Sequence, residues 1–289
     1  VVGGGTAQGK LYVVATPIGN LADLSPRAAE VLRSADAVAA EDTRRTRKLL
    51  AHLGARPRAL LSVPAFDERA RLGPILDRLR AGQSVALCTD AGTPGISDPG
   101  QALVEQAWRA GARVVPIPGP VAAAAALAAS GLPADRFLFA GFLPRKGTAR
   151  AEAIAALGRL PVTVVLYEAG NRAGATLRDL RAVLGDRPAA VARELTKVHE
   201  EIARGTLGDL AERFSGEVRG EVTLVVGAAG AEGAEAPAPD AAALERELSE
   251  RLGRGEAPSV IAREVARAHG LRRSDVYAAL ERIKSAGSR

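Results

Sequence analysis

Leu87-Cys88-Thr89-Asp90-Ala91-Gly92-Thr93-Pro94-Gly95-Ile96-Ser97-Asp98-Pro99-Gly100 decides how this chain is read. An apolar strand candidate, Ser84-Val85-Ala86-Leu87-Cys88, runs into it, and a helix-like segment over 101–110 follows and stops at Gly111. Pro94 and Pro99 fix φ and remove two backbone donors, while the three glycines permit positive φ and close approach by a ligand. Ordinary strand-to-helix loops need only ~2–6 residues, and this one is longer and chemically specialised. Open α/β sheets bind their ligands at the carboxyl ends of buried strands, so the stretch predicts both a sheet and a site.

Length and composition set the frame. The chain has 289 residues, enough for two ordinary domains and a small appendage. Ala, Val and Leu supply the core, since aromatics make up only 3%. A net charge of +6 and a pI near 10 favour a polyanionic partner. The single cysteine, Cys88, excludes an intramolecular disulfide and any cysteine-cluster zinc site, and it fits a reducing cytoplasm. Three scattered histidines, His52, His199 and His269, offer no histidine metal site. The alanine-rich run at 121–129 falls far short of the ~20 apolar residues of a membrane span, and no export signal opens the chain. No methionine occurs, so the first residue is not an initiator, and residues 1–9 are expected to form a flexible N-terminus. Residues 4–10 nearly spell a phosphate-binding P-loop, but Leu11 replaces the metal-binding hydroxyl and no strand precedes it.

Working outward, Leu11-Tyr12-Val13-Val14-Ala15 reads as a buried strand ending in a second proline and glycine loop, Thr16-Pro17-Ile18-Gly19-Asn20. Ser25-Pro26 gives an N-cap and a first-turn proline for a helix to about Ala35. Strands at 37–40, 59–62, 85–88 and 113–117 alternate with helices over 43–53, 67–81 and 101–110, the pattern of a parallel sheet flanked by helices. No G-x-G-x-x-G follows the first strand, so a dinucleotide-binding fingerprint is absent. The predicted architecture is therefore α/β. It has an N-terminal parallel-sheet domain over 10–118, a hinge at Pro118-Gly119-Pro120, and a second domain with a mixed sheet over 119–227. In the second domain a helix over 121–129, strands at 137–140, 162–167, 189–193 and 221–226, and helices over 172–184 and after Leu207 are expected.

Residues 228–240, rich in Ala, Gly, Pro and Glu, read as a linker. The remainder, 241–289, is helical throughout. Ala266, Gly270 and Val276 stand at helix-turn-helix offsets, with Arg272 and Arg273 at the start of the second helix. A protein-binding or RNA-contacting appendage fits these residues as well as a DNA reader does.

No G-x-S-x-G is present, and no histidine partners a nucleophile, which removes triad hydrolysis. Acidic residues at strand ends (Glu41, Asp42, Asp90, Asp98, Glu168 and Glu194) suit acid–base work, Mg²⁺ binding, ribose contacts or helix caps. The two proline and glycine loops lie on one edge of a parallel sheet, and with the hinge they can enclose one small, partly polar cofactor.

Several stretches, in order, carry a resemblance. They are 11–21 (LYVVATPIGNL), 40–44 (AEDTR), 90–100 (DAGTPGISDPG), 116–120 (PIPGP), 130–133 (SGLP), 141–146 (GFLPRK) and 193–201 (RELTKVHEE), spanning about residues 10 to 227. Together they resemble the ribosomal RNA small subunit methyltransferase I family, a branch of the tetrapyrrole methylases. The helical tail resembles the small helix-turn-helix-like domain of that family.

The resemblance implies S-adenosylmethionine as methyl donor and, as acceptor, a cytidine ribose 2′-hydroxyl in the decoding region of 16S ribosomal RNA. It also implies a two-domain tetrapyrrole-methylase-like fold with the cofactor in the interdomain cleft, a homodimer, and the small ribosomal subunit as partner. By position, the cofactor loops are Thr16, Pro17, Ile18, Gly19 and Asn20, then Asp90, Ala91, Gly92, Thr93 and Pro94, with Ile96, Ser97 and Asp98. Val121 and Ala122 follow, with Tyr167 and Glu168 at the rim. A ribose hydroxyl is a poor nucleophile, and the candidates to manage its proton are Asp42, Lys146, Glu168 and Lys197. Phosphate contacts fall to Arg44, Arg45, Arg47, Lys48, Arg145, Lys146 and Arg172, although each basic cluster alone also fits a solvated helix face.

Two departures stand out. Val121 occupies a position where the family usually has serine, so a hydroxyl contact is lost there. The tyrosine–glutamate strand end continues Ala169-Gly170-Asn171-Arg172 rather than Ser-Pro-His-Arg, and 62–68 also lacks an expected histidine. Two rival readings are methylation of a tetrapyrrole ring, whose enzymes have a glycine-rich first loop, and a nucleic-acid-binding regulator working through the helical tail.

Overall fold

Short, almost wholly apolar runs build the first sheet, because strands covered on both faces need no polar alternation. They are β1 (Lys10–Val14), β2 (Ala37–Ala40), β3 (Ala59–Ser62), β4 (Ser84–Cys88) and β5 (Arg113–Ile117), arranged in the order β3-β2-β4-β1-β5 with every pairing parallel. The structure is a computed structural model and describes residues 8–216, 218–228, 241–254, 256–269 and 273–287.

Helices α1 (Pro26–Ser34), α2 (Thr43–His52), α3 (Gly73–Arg80) and α4 (Gln101–Arg109) supply the crossovers. Period-two alternation sends Ala37, Ala39, Val85 and Leu87 to the face packed by α3 and α4. Val38, Ala40, Ala86 and Cys88 go to the face packed by α1 and α2. Ser25 caps α1 by accepting from the Ala28 amide at 3.1 Å, a contact worth about 1 kcal/mol. Cys88 is fully buried, and burial pushes its thiol up to about 12.

The second sheet combines β6 (Phe137–Phe142), β7 (Thr163–Ala169), β8 (Pro188–Arg193), β9 (Glu201–Thr206) and β10 (Glu221–Val226) in the order β6-β7-β10-β8-β9. Only β6 and β7 run parallel, so the sheet is mixed, as the sequence predicts. Helix α5 (Ala122–Ser130) covers one face with Ala123, Ala126 and Leu127. Helices α6 (Thr148–Gly158), α7 (Ala173–Leu184) and α8 (Leu207–Arg213) cover the other through Ile154, Leu177, Leu180 and Leu210.

Three elements differ from the sequence reading. The helix predicted over 67–81 is two 3-10 turns, Ala65–Asp67 and Arg69–Arg71, followed by α3. Pro74 explains the break, since a residue without an amide hydrogen belongs in a first helical turn rather than an interior. Helix α6 was not predicted, because its apolar residues spread around the whole helix. Strand β9 was not predicted either; it is an edge strand, and Glu201 and Arg204 disrupt any apolar run.

The chain divides into two compact units, Val1–Ala231 and Glu232–Arg289, with both sheets in the first. The second unit holds α9 (Ala241–Gly253), α10 (Pro258–His269) and α11 (Arg273–Gly287) around Leu248, Ile261, Val265, Ala266, Val276 and Leu280. Gly270, Arg272 and residues 1–7 and 229–240 lie outside the described residues, and with them the turn glycine and nearly all of the linker. Among the described residues no helix is long and apolar enough to cross a membrane.

Candidate functional site

Because β1 and β4 are neighbours, the loops after them emerge side by side. A lone bridge welds them: the Thr16 amide donates to the Gly92 carbonyl at 2.8 Å and the Gly92 amide donates back at 3.0 Å. The buried Thr16 hydroxyl adds a 3.3 Å bond to the Thr89 carbonyl. Thr93 ties the same loop to the hinge by donating to the Pro120 carbonyl at 3.2 Å.

Across from these loops stands the second sheet, and a cavity of about 410 Å³ opens between the two. That volume lies in the ~300–1,000 Å³ range of small-molecule sites. Its first wall is Ile18, Asp90, Ala91, Gly92, Thr93, Ile96, Ser97 and Asp98, with Val121 and Ala122 at the start of α5. Tyr167 enters from the second sheet. Thr16, Pro17, Gly19, Asn20 and Pro94 stand behind this lining: Thr16 is the buried bridge, and Asn20 caps the turn Leu21–Asp23 by accepting from the Ala22 amide at 3.0 Å. Gly19 serves by close approach, since a Cβ there would lie 2.7 Å from Lys197 Cγ and 2.8 Å from Thr196 Oγ1.

A bulge in β6 completes the aromatic wall. The register shifts between Phe139 and Gly141, whose φ of 61° suits glycine, so Phe139 and Phe142 both reach the same face. Their rings lie 4.9 and 5.6 Å from that of Tyr167. The Ala123 amide donates to Tyr167 Oη at 3.1 Å. Val121 provides no side-chain cap to α5, so this phenol satisfies an amide of the first helical turn in place of a hydroxyl cap.

The cavity is rich in carboxylates. Glu41 and Asp90 knit the ends of β2 and β4 together: Glu41 accepts from the Asp90 amide at 3.3 Å, and Asp90 accepts from the Asp42 amide at 3.1 Å. Arg45 lies 3.3 Å from Asp90. Burial, with Glu41, Glu221 and Asp90 nearby, pushes Asp98 up to about 7. Burial also raises Glu41.

Opposite, the turn after β8 brings Glu194, Leu195 and Lys197 to the cavity, with Lys197 Nζ donating to Glu194 Oε1 at 2.9 Å. Among the described residues only Ser97, Glu194 and Thr196 are non-glycines with positive φ, at 62°, 49° and 67°. Ser97 and Glu194 line the cavity and Thr196 adjoins it. Such conformations cost about 1–3 kcal/mol each and persist where surroundings over-determine them.

The four residues expected to manage a proton separate in space. Lys197 lines the cavity. Asp42 instead caps α2 and binds Arg44 at 2.6 Å, which holds its carboxyl well below the usual range and makes it a poor proton acceptor. Lys146 is exposed and outside the lining. Glu168 is 3% exposed and faces α7, on the opposite side of β7 from Tyr167, where Thr176 donates to it at 2.6 Å. Adjacent strand residues point to opposite faces, so the rim position expected for both can hold only Tyr167.

The expected phosphate-binding residues separate too. Arg47 and Lys48 are exposed on α2, and Arg145 is exposed after β6. Arg44 is engaged by Asp42, the exposed Arg45 lies at the edge of the cavity beside Asp90, and Arg172 pairs with Glu168 at 3.5 Å. Phe142, Ala192, Glu194, Leu195, Glu221, Val222 and Thr223 join the lining without having been placed there from sequence. Among the described residues no group of three or more His, Cys, Asp or Glu is set to hold a metal ion.

Residues 10–211 match the family of Tetrapyrrole (Corrin/Porphyrin) Methylases. The chain is 49% identical over 225 residues to the ribosomal RNA small subunit methyltransferase I of Xylella fastidiosa, covering 76% of this chain and 82% of that protein. The Synechocystis protein of the same name is 44% identical over 272 residues, covering 93% of this chain and 96% of that one. The chain belongs to the ribosomal RNA small subunit methyltransferase I family, within the tetrapyrrole methylases. The fold of this methyltransferase also superposes on the crystal structure of uroporphyrin-III C-methyl transferase from Thermus thermophilus complexed with S-adenyl homocysteine. The TM-score is 0.54 at 23% identity, over 75% of this chain and 97% of that one.

The lining fits the cofactor such methyltransferases use. Glu41, Glu221 and Asp90 each disfavour the ionised form of the cavity carboxyl Asp98, an arrangement that a cationic ligand relieves. A sulfonium is such a cation, and the aromatic wall and the peptide groups of 90–93 suit an apolar-edged, hydrogen-bonding adenosine.

Proposed function

We propose that this methyltransferase transfers a methyl group to the ribose 2′-hydroxyl of a cytidine in the decoding region of 16S ribosomal RNA, working as a homodimer. S-adenosylmethionine is the donor and supplies an electrophilic methyl group on a positively charged sulfur. The observation that carries the reading is the carboxylate-rich cavity with the Lys197–Glu194 pair at its edge, in a chain of this family.

The welded loops at Thr16 and Gly92 and the hinge contact at Thr93 hold one wall rigid, so the donor is bound in one orientation. In-line attack makes positioning most of the task. The hydroxyl loses its proton as the new bond forms. Lys197, held in place by Glu194 at 2.9 Å, orients the acceptor oxygen or its neighbouring phosphate, and the Lys197–Glu194 pair takes up the proton. The net charge of +6, and the exposed Arg47, Lys48, Arg145 and Lys146, favour a polyanionic acceptor.

The deciding measurement is transfer of labelled methyl groups to undermodified small subunits, naked 16S ribosomal RNA and uroporphyrinogen, followed by nuclease digestion and mass mapping. Label on a cytidine ribose in the decoding region is expected. Label on the tetrapyrrole alone, or on a base, overturns the reading. Lys197→Met and Glu194→Gln are each expected to lower kcat about 10²–10⁴-fold and to leave donor affinity within about twofold.

A further inference from the structure

Glu168 is withdrawn from the cavity, and what it does instead points to a second device. Its Oε2 accepts from Thr176 Oγ1 at 2.6 Å and lies 3.5 Å from Arg172 Nη2 and 4.0 Å from Arg150 Nη1. Its Oε1 accepts from the Ala169 amide at 2.9 Å. Arg150 is itself nearly buried and is held at its other edge by Asp179 at 2.8 Å, with a 2.9 Å bond to Thr176 Oγ1. The same two nitrogens that face Glu168 also reach the main chain. Arg150 Nη1 donates to the Pro144 carbonyl at 3.1 Å, and Arg172 Nη2 donates to the Arg145 carbonyl at 3.4 Å.

We propose that the buried Glu168–Thr176–Arg150–Arg172 cluster is a main-chain clamp that positions the segment carrying Arg145 and Lys146 for ribosomal RNA. Two consecutive carbonyls are gripped from below, so the side chains of Arg145 and Lys146 leave from a fixed platform and stay exposed. A pre-ordered basic segment loses less freedom on binding than a loose one, so the clamp acts on RNA affinity rather than on the chemical step. Glu168 holds both arginines through its charge and is a positioning residue. The inference rests on the reading that RNA is the acceptor.

The test compares full-length wild type, Glu168→Gln, Thr176→Val, the double variant Arg145→Ala/Lys146→Ala and the triple combination with Glu168→Gln. Timed trypsin digestion read by mass spectrometry reports the clamp without any substrate. Cleavage after Arg145 and Lys146 is expected to accelerate about tenfold in Glu168→Gln and in the same direction in Thr176→Val, which leaves no buried charge unpaired. With small subunits as substrate, KM is expected to rise about tenfold in Glu168→Gln, with kcat and donor affinity within about twofold. Removing the two basic side chains should raise KM as well, and Glu168→Gln should add nothing further in that background. Unchanged cleavage in the folded variants overturns the clamp, as does faster cleavage with an unchanged KM or an additive triple variant. A wild type that labels no RNA overturns the functional reading instead, while the digestion still decides whether the clamp exists.

Discussion

Asp98 is where the chemistry of single residues is most exposed to test. Its carboxyl has an ordinary value of 3.8 and is pushed up to about 7 in the fold. Between those values the folded state holds the proton more tightly than the unfolded chain, so the contribution of this group to stability is complete below about pH 4 and is lost as pH rises through 7. Asp98→Asn removes that loss. It is expected to melt higher than wild type at pH 8 and much as wild type at pH 4, by calorimetric scanning. A cationic donor prefers the ionised carboxylate, so wild-type affinity should rise from pH 6 to pH 8 while the asparagine variant stays flat. A parallel pH dependence in both proteins refutes the assignment. The pairing of Tyr167 with Glu168 shows why sequence stops short at this scale. Every residue of β7 from Thr163 to Leu166 is buried, so no polar alternation marks which neighbour faces the cavity.

Among the elements, the turn at 194–200 and the loop at 16–20 meet in close contact at Gly19. The turn is built on Glu194 and Thr196 in left-handed conformations, and the Thr196 amide donates to Glu200 at 2.6 Å. Gly19 accepts it because nothing projects there; a methyl group would meet Lys197, Thr196 and the Leu195 carbonyl within 3.0 Å. Gly19→Ala is therefore expected to force the turn outward, weakening donor binding about tenfold, or 1.4 kcal/mol, with the melting temperature little changed. Titration calorimetry checks it. The loops after β1 and β4 were legible because glycine and proline mark them directly. Their pairing on one sheet edge followed from parallel topology. Glu221 and Thr223 were not legible as lining, since β10 reaches the cavity only by inserting between β7 and β8, a pairing set by contacts distant in sequence. The α6 helix escaped notice for a different reason: alanine on every side leaves no periodicity to read.

At the scale of the molecule, two compact units divide the labour of folding, and the cavity belongs wholly to the first. Removing 232–289 is expected to leave donor affinity within about twofold, because no cavity residue is lost. Any contribution of the three-helix unit to RNA should then appear as a smaller salt dependence of subunit binding, each lost phosphate contact reducing the slope of log K against log salt by about 0.7–0.9. Loss of donor binding on truncation refutes this division. The reading of 228–240 as a linker rests on composition alone, whereas the approach of Arg45 to Asp90 at the cavity depended on the assembled fold. The buried Cys88 offers a clock on the first unit. A thiol held at about 12 and shut between α2 and the first sheet reacts with a disulfide reagent only after local opening. Its modification rate therefore measures how often that region opens while the rest of the protein stays folded. Cys88 lies directly beneath the loop that begins at Thr89, so a bound donor at 100 times its Kd should slow labelling by up to about 100-fold. The chain's single thiol thus allows occupancy of the cavity to be timed without any methyl transfer taking place.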